Sequence, residues 1–136
     1  MKYLFILISF LSFIQFSLAA EKAYTLQSGD ASLSVVKDGK RLSLQTGNAH
    51  YLSLNAPYVV TLEVNAETLN GYYSSVKEEK GSLACIAKLK SSHGTVFHVK
   101  DVFAPDTENH FRMDREVTIE KIGKGDDYFN SYFGLT

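Results

Sequence analysis

The sequence predicts an all-β chain, an antiparallel β-sandwich of about ten short strands. Three observations carry that prediction. Apolar and polar residues alternate with period two along most of the chain, the pattern of half-buried strands. Gly, Asn and Asp interrupt the alternation at intervals of about 8–12 residues, as turns between short strands do. No window sustains apolar residues at i, i+3, i+4 and i+7, as an amphipathic helix would.

The elements follow in chain order. Leu33 and Val35 alternate with serines, and Lys37-Asp38-Gly39-Lys40 turns the chain. Leu42 and Leu44 then alternate back. Asp-Gly between two such runs is a strong hairpin signal, because glycine accepts positive φ in a primed turn. Gly47-Asn48 reads as another turn, and Tyr51–Leu54 as a short strand stopped by Pro57. Tyr58, Val60, Leu62 and Val64 share one face of the next strand. Ala66–Leu69 has room for one helical turn at most. Asn70-Gly71 reads as a second hairpin turn leading into a strand over Tyr72–Val76. Lys77–Gly81 reads as a charged tip.

Leu83, Cys85, Ala87 and Leu89 mark the following strand, and Phe97, Val99 and Phe103 the one after it. Asn109–Lys121 is the longest run. Phe111, Met113, Val117 and Ile119 fall on one of its faces, and charged or polar residues on the other. Gly123–Asp127 reads as a loop. Tyr128–Leu135 reads as a last strand. Because the sequence stops inside that apparent strand, two readings stay open: the N-terminal part of a longer protein, or a final core strand at a natural end.

Residues 1–19 carry the layout of a secretory signal peptide. A lysine start precedes an apolar stretch, and Ser17-Leu18-Ala19 places small residues at the cleavage positions. The alternative is an uncleaved anchor, although the apolar stretch falls short of the roughly 20 residues of a spanning helix. The expected organisation is a leader over 1–19 and a β-sandwich domain over 20–136. The expected location is secreted or periplasmic, with no membrane span after cleavage. Cleavage removes one lysine and no acid, leaving a net charge of −2.

Composition excludes several classes. The full chain of 136 residues carries 14 Lys+Arg against 15 Asp+Glu. That balance gives no clustered basic face for phosphates, so nucleic acid is not an expected partner. A single cysteine closes no internal disulfide and builds no multi-cysteine zinc site. None of His50, His93, His98 and His110 falls in H-x-x-x-H or H-E-x-x-H spacing. No catalytic residue, cofactor or metal ligand is expected. Cys85 lies on an apolar strand face, where a thiol is buried and inert. His93 and His98 are expected to face solvent. Asp126-Asp127 lacks the oxygen shell that calcium requires.

The most informative side chain is Arg115. Alternation puts it on the apolar face with Met113 and Val117, and a guanidinium there needs a partner, because an unpaired buried charge is costly. Asp101, Asp106 and Glu63 are the candidates. Two roles stand open: a tie between strands, or a contact to a neighbouring domain or sugar hydroxyl. Tyr72, Tyr73, Tyr128 and Tyr132 lie outside the core pattern. Their flat rings suit sugar stacking, with ordinary cross-strand packing as the alternative. The candidate binding or interface residues are therefore Arg115, Arg112, Tyr128, Tyr132 and Tyr72.

Four stretches carry a family resemblance. Ala31–Leu44 (ASLSVVKDGKRLSL) followed by Tyr51–Pro57 (YLSLNAP) resembles the opening of the large "supersandwich", galactose-mutarotase-like β-sandwich domains. Phe111–Ile119 and Tyr128–Leu135 resemble later "R-x-V" and "F-x-S-x-F-x-L" strands of the same domains. Such domains stand at the N-terminus of secreted bacterial glycoside hydrolases and polysaccharide lyases, ahead of a helical catalytic barrel. The chain is shorter than those sandwiches and has no barrel to receive the family's catalytic residues. The resemblance implies an incomplete supersandwich acting as a non-catalytic accessory domain. Its partners would be a carbohydrate or an adjacent catalytic domain. The alternative is a stand-alone secreted module that binds a carbohydrate or a protein.

Overall fold

The structure is a computed structural model and describes residues 22–47, 51–52 and 60–132. The leader, Gly47-Asn48 as a complete turn, His50, Tyr58 and the end of the last strand lie outside those residues. Eleven strands are described and no helix. They are β1 (Ala23–Ser28), β2 (Ala31–Val36), β3 (Leu42–Gln45), β4 (Tyr51–Leu52), β5 (Val60–Val64) and β6 (Glu67–Gly71). β7 (Ser75–Glu79), β8 (Ser82–Lys90), β9 (Val96–Pro105), β10 (Phe111–Lys121) and β11 (Phe129–Tyr132) complete them. All pairings are antiparallel. They form three sheets with the orders β1-β2-β3-β4, β10-β9-β8-β7 and β11-β5-β6.

The sheets bury their inner faces against one another as a β-sandwich. Leu26, Leu33, Val35 and Leu42 enter the core from the first sheet. Leu83, Phe97, Val99 and Phe103 enter from the second, and Val60, Leu62, Val64 and Leu69 from the third. β1 meets β7, β8 and β9, and β6 meets β8. Full burial of such a side chain contributes about 1.5–3 kcal/mol, so the strands are held mainly by this shared core.

The predicted Asp38-Gly39 hairpin is present. β2 and β3 pair with Val35 opposite Leu42. Lys40 N–H donates to Asp38 Oδ1 at 2.9 Å, and Gly39 adopts φ +72°. Gly39 also accepts at its carbonyl from Tyr73 N–H at 3.1 Å. A Cβ at this position would stand 1.9 Å from the Tyr73 carbonyl oxygen, so the turn needs glycine for space as well as for φ.

The Asn70-Gly71 turn is absent. Both residues lie inside β6, and the connection is Asn65-Ala66, with φ of 46° and 69°. Two consecutive positive-φ residues make the tight primed turn that suits the twist of a hairpin. Core register explains the choice. Turning at 65–66 sets Leu62 opposite Leu69 and puts both in the core, whereas a later turn would break that pairing. Gly71 instead makes room for Leu89, whose Cδ2 would stand 2.7 Å from a Cβ there. The helical turn allowed for Ala66–Leu69 is strand as well.

One further expectation is corrected, and one strand carries little sequence signal. In β1, Thr25, Leu26 and Gln27 give only one apolar position between polar neighbours. The charged segment Lys77–Glu79 is the end of β7, and Lys80-Gly81 is the turn.

Replacing Gly39 with Ala is expected to destabilise the fold by at least the 1–3 kcal/mol or so of a strained backbone position. The check is the urea midpoint of the variant against wild type; an unchanged midpoint would show that the hairpin does not depend on this close approach.

Candidate functional site

The second sheet sets the first cluster by register. Val76, Cys85, Asp101 and Arg115 stand opposite one another across β7, β8, β9 and β10. Asp101 is 0% exposed. Arg115 grips it with two bonds, Nε to Oδ1 and Nη2 to Oδ2, both 2.6 Å. Tyr73 donates its hydroxyl to the same Oδ2 at 2.6 Å. Arg115 Nη1 then reaches the third sheet, donating to Ser131 Oγ at 3.1 Å and to the Tyr132 carbonyl at 2.7 Å.

Asp101 is thus the partner of Arg115 among the three sequence candidates, and the pairing is bidentate and charge-assisted. Burial works to lower the Arg115 pKa, but the bonds and charge of Asp101 outweigh it and the net shift is upward. Burial, then the charge of Asp101, raises Tyr73, so its phenol stays protonated and donates. Burial and the same charge push the Cys85 thiol up to about 12. A thiol held that high is a poor nucleophile.

The second cluster lies where three turns meet. The Ser91–Thr95 turn between β8 and β9 presents Ser91 Oγ to Asp126 Oδ2 at 2.6 Å and His93 Nδ1 to Asp126 Oδ1 at 3.0 Å. Thr95 donates its hydroxyl to the same carboxylate and accepts from Gly123 N–H at 2.7 Å. On the other flank, Asn65 Oδ1 in the β5–β6 turn accepts from Asp127 N–H at 3.2 Å and Tyr128 N–H at 3.3 Å. The 122–128 loop is therefore fastened to both neighbouring turns. Ser91, Thr95 and His93 hold the Asp126 carboxyl below its ordinary 3.8. These bonds are structural. Ser91 and His93 both bond Asp126, so the carboxylate stands where a nucleophile–base contact would be.

Fastening the loop leaves a cleft of about 150 Å³ beneath it. Buried Val64 and Phe97 and half-buried Phe129 form its base, and Phe97 and Phe129 meet at a ring separation of 5.4 Å. Ile119, Ile122, Tyr128 and Asp127 line its upper part, with Ile122 73% and Tyr128 55% exposed.

The sequence candidates scatter around these clusters. Tyr128 lies on the cleft. Tyr132 donates its hydroxyl to Glu63 Oε2 at 2.5 Å on the surface. Arg112 forms an exposed pair with Asp114 at 3.0 Å. Tyr72 is exposed, whereas Tyr73, grouped with it from the sequence, is 1% exposed and belongs to the core. His93 and His98 are partly exposed as expected, bonded to Asp126 and Glu120 respectively. Ile122 and Asn65 were not singled out in the sequence. Nothing marks Ile122 as other than a loop residue, while an Asn before a small residue between apolar runs is a usable turn signal. Among the described residues, no group of three or more His, Cys, Asp and Glu is placed to hold a metal ion. Comparisons with protein-family models, curated proteins and solved structures found no match to this chain.

Removing one end of a buried ion pair costs about 3–5 kcal/mol. Arg115→Ala is expected to lose stability on that scale in urea unfolding. Removing Asp101 as well should return part of the loss, since it deletes the stranded carboxylate. A single variant as stable as wild type would refute the buried pair.

Asp126 sets a pH dependence. A carboxyl whose folded pKa lies below its ordinary 3.8 adds stability that is present above that value and is lost as pH falls through the folded pKa. The stability gap between wild type and Asp126→Asn is therefore expected to narrow as the pH is taken down through 3.8. Thermal unfolding at a series of pH values reads it, and a constant gap would contradict the assignment.

Proposed function

We propose that this chain is a non-catalytic accessory β-sandwich of an exported carbohydrate-active enzyme, contributing carbohydrate contact beside a catalytic domain. The observation that carries the reading is how its polar groups are used. Asp101, Arg115 and Tyr73 are consumed by one another, and Asp126 by its turn. Among the exposed charged residues of β10, β11 and the loop between them stand large aromatic and apolar side chains, Tyr128, Ile122, Ile119 and Tyr132. An aromatic ring beside hydrogen-bonding groups is the usual way a protein holds a sugar. The leader-like N-terminus and the supersandwich resemblance of the sequence support export and the carbohydrate context.

A second reading has its own support. Phe111, Met113 and Val117 pack against the core but stay half-exposed along β10, the longest strand and an edge of its sheet among the described residues. An apolar row at a sheet edge suits an adjoining domain or protein. It favours packing against a catalytic unit, or protein binding by a stand-alone module.

Affinity electrophoresis of the chain in gels cast with neutral and acidic polysaccharides tests the proposal. Retardation by at least one polysaccharide is the expected outcome. Migration unchanged in every gel would overturn the carbohydrate reading and leave the protein-docking one.

A further inference from the structure

We infer that the cleft beneath the 122–128 loop seats a single neutral pyranose ring, an inference that rests on the carbohydrate reading above and gives it a location. Size comes first. A closed cavity of about 150 Å³ holds one six-membered ring such as benzene, and this cleft of similar volume opens to solvent on one side, which leaves a pyranose room for its hydroxyls. The lining comes second. Ile119, Ile122 and Phe129 give an apolar side for the C–H face of a sugar, and the exposed Tyr128 ring can close over it. Hydrogen bonding comes third. The exposed Asp127 borders the cleft, and its carboxylate makes no side-chain hydrogen bond among the described residues, although its backbone N–H is held by Asn65. An ionised carboxylate is acceptor-only, which matches paired ring hydroxyls as donors.

Charge then selects the ligand. Asp126 and Asp127 both border the cleft, with Asp126 kept ionised by its three partners. A uronate or a phosphorylated sugar would bring a like charge against them, which costs binding. A purely apolar ring would offer Asp127 no donor in place of the water that its exposed carboxylate binds. Preorganisation favours the same site. Asn65 fixes the Asp127 and Tyr128 backbone and the Ser91–Thr95 turn fixes Asp126, so little ordering is needed on binding.

The test is amide and methyl NMR of the isotope-labelled chain titrated with the methyl glycosides of glucose, galactose, mannose and xylose, and with glucuronate. At least one neutral glycoside should shift signals of Ile119, Ile122, Asp127 and Tyr128. Glucuronate should bind about tenfold more weakly or not at all, and Asp127→Ala and Tyr128→Ala should each weaken the neutral sugar about tenfold or more. Both substitutions are on the surface, and unchanged spectra elsewhere establish that the variants fold. A neutral sugar that shifts other residues, or binds both variants as it binds wild type, would overturn the cleft assignment and leave the accessory-module reading standing. So would retardation by polysaccharide gels with no glycoside response at the cleft. Glucuronate binding as tightly as the neutral sugars would overturn the charge selection. If neither gels nor glycosides bind, both readings fall.

Discussion

A single carboxylate organises the molecule. Asp101 sits at 0% exposure in the middle of the second sheet, where an ionised group alone would cost several kcal/mol. Two Arg115 bonds and one Tyr73 bond offset that cost. Each partner then ties in another part of the fold. Arg115 extends to Ser131 and the Tyr132 carbonyl on the third sheet. Tyr73 anchors, through its backbone N–H, the Gly39 turn of the first sheet. One buried charge thus links all three sheets through directional bonds. Burial first, and the same charge second, keep Cys85 a thiol, since a thiolate opposite Asp101 would stand desolvated beside an anion whose counter-charge is already engaged.

The two ends of the sandwich are closed by different chemistry. At one end, the β1–β2 turn meets the β9–β10 turn. Ser28 donates to the Thr107 carbonyl at 2.7 Å, and Asn109 accepts from Asp30 N–H at 2.7 Å. At the other end, three connections converge on Asp126 and Asn65. Glu67 adds to them, its carboxylate accepting from Ser92 N–H and from the Ser92 hydroxyl at 2.8 Å. A loop fixed from both sides keeps an opening beneath it, where a loop fixed on one side only would be free to collapse onto Phe97 and Phe129. The cleft is thus a consequence of how the chain satisfies its loop backbone.

Much of this was legible in the sequence, and the misses share a cause. The β2–β3 hairpin, the faces of β8, β9 and β10 and the inward Arg115 follow from strict alternation, and the cost of an unpaired charge narrows its partner to Asp101, Asp106 or Glu63; the register of β9 against β10 selects Asp101. Alternation fails where a residue has a second role. Tyr73 reads as one of several tyrosines outside the core pattern because Tyr72 beside it is an identical side chain, and alternation does not tell which of the two faces inward. Its burial is set by Asp101, 28 residues away, which no local pattern reveals. Asn70-Gly71 carries the stronger turn signal, yet Asn65-Ala66 turns, because pairing Leu62 with Leu69 buries both and the core outweighs local turn preference. The cleft was illegible for the same reason. Tyr128 and Asp127 face it only because Asn65, more than 60 residues earlier, holds their backbone.

Function follows from which polar groups remain unspent. Arg115 was the sharpest sequence candidate for contacting a ligand, but its three nitrogens are already engaged with Asp101, Ser131 and the Tyr132 carbonyl. To present it to a sugar would require leaving Asp101 unpaired, at a cost larger than one sugar contact returns. Tyr132 spends its hydroxyl on Glu63, and that bond raises the phenol's pKa. Arg112 and Asp114 pair on an exposed strand face, where such a pair contributes little and defines no pocket. Tyr128 and Asp127 differ from all of these. Their backbones are fixed while the exposed Tyr128 ring and the Asp127 carboxylate border an apolar opening. The proposed sugar site rests on this rigid placement of unspent groups, which in the described residues occurs beneath the 122–128 loop.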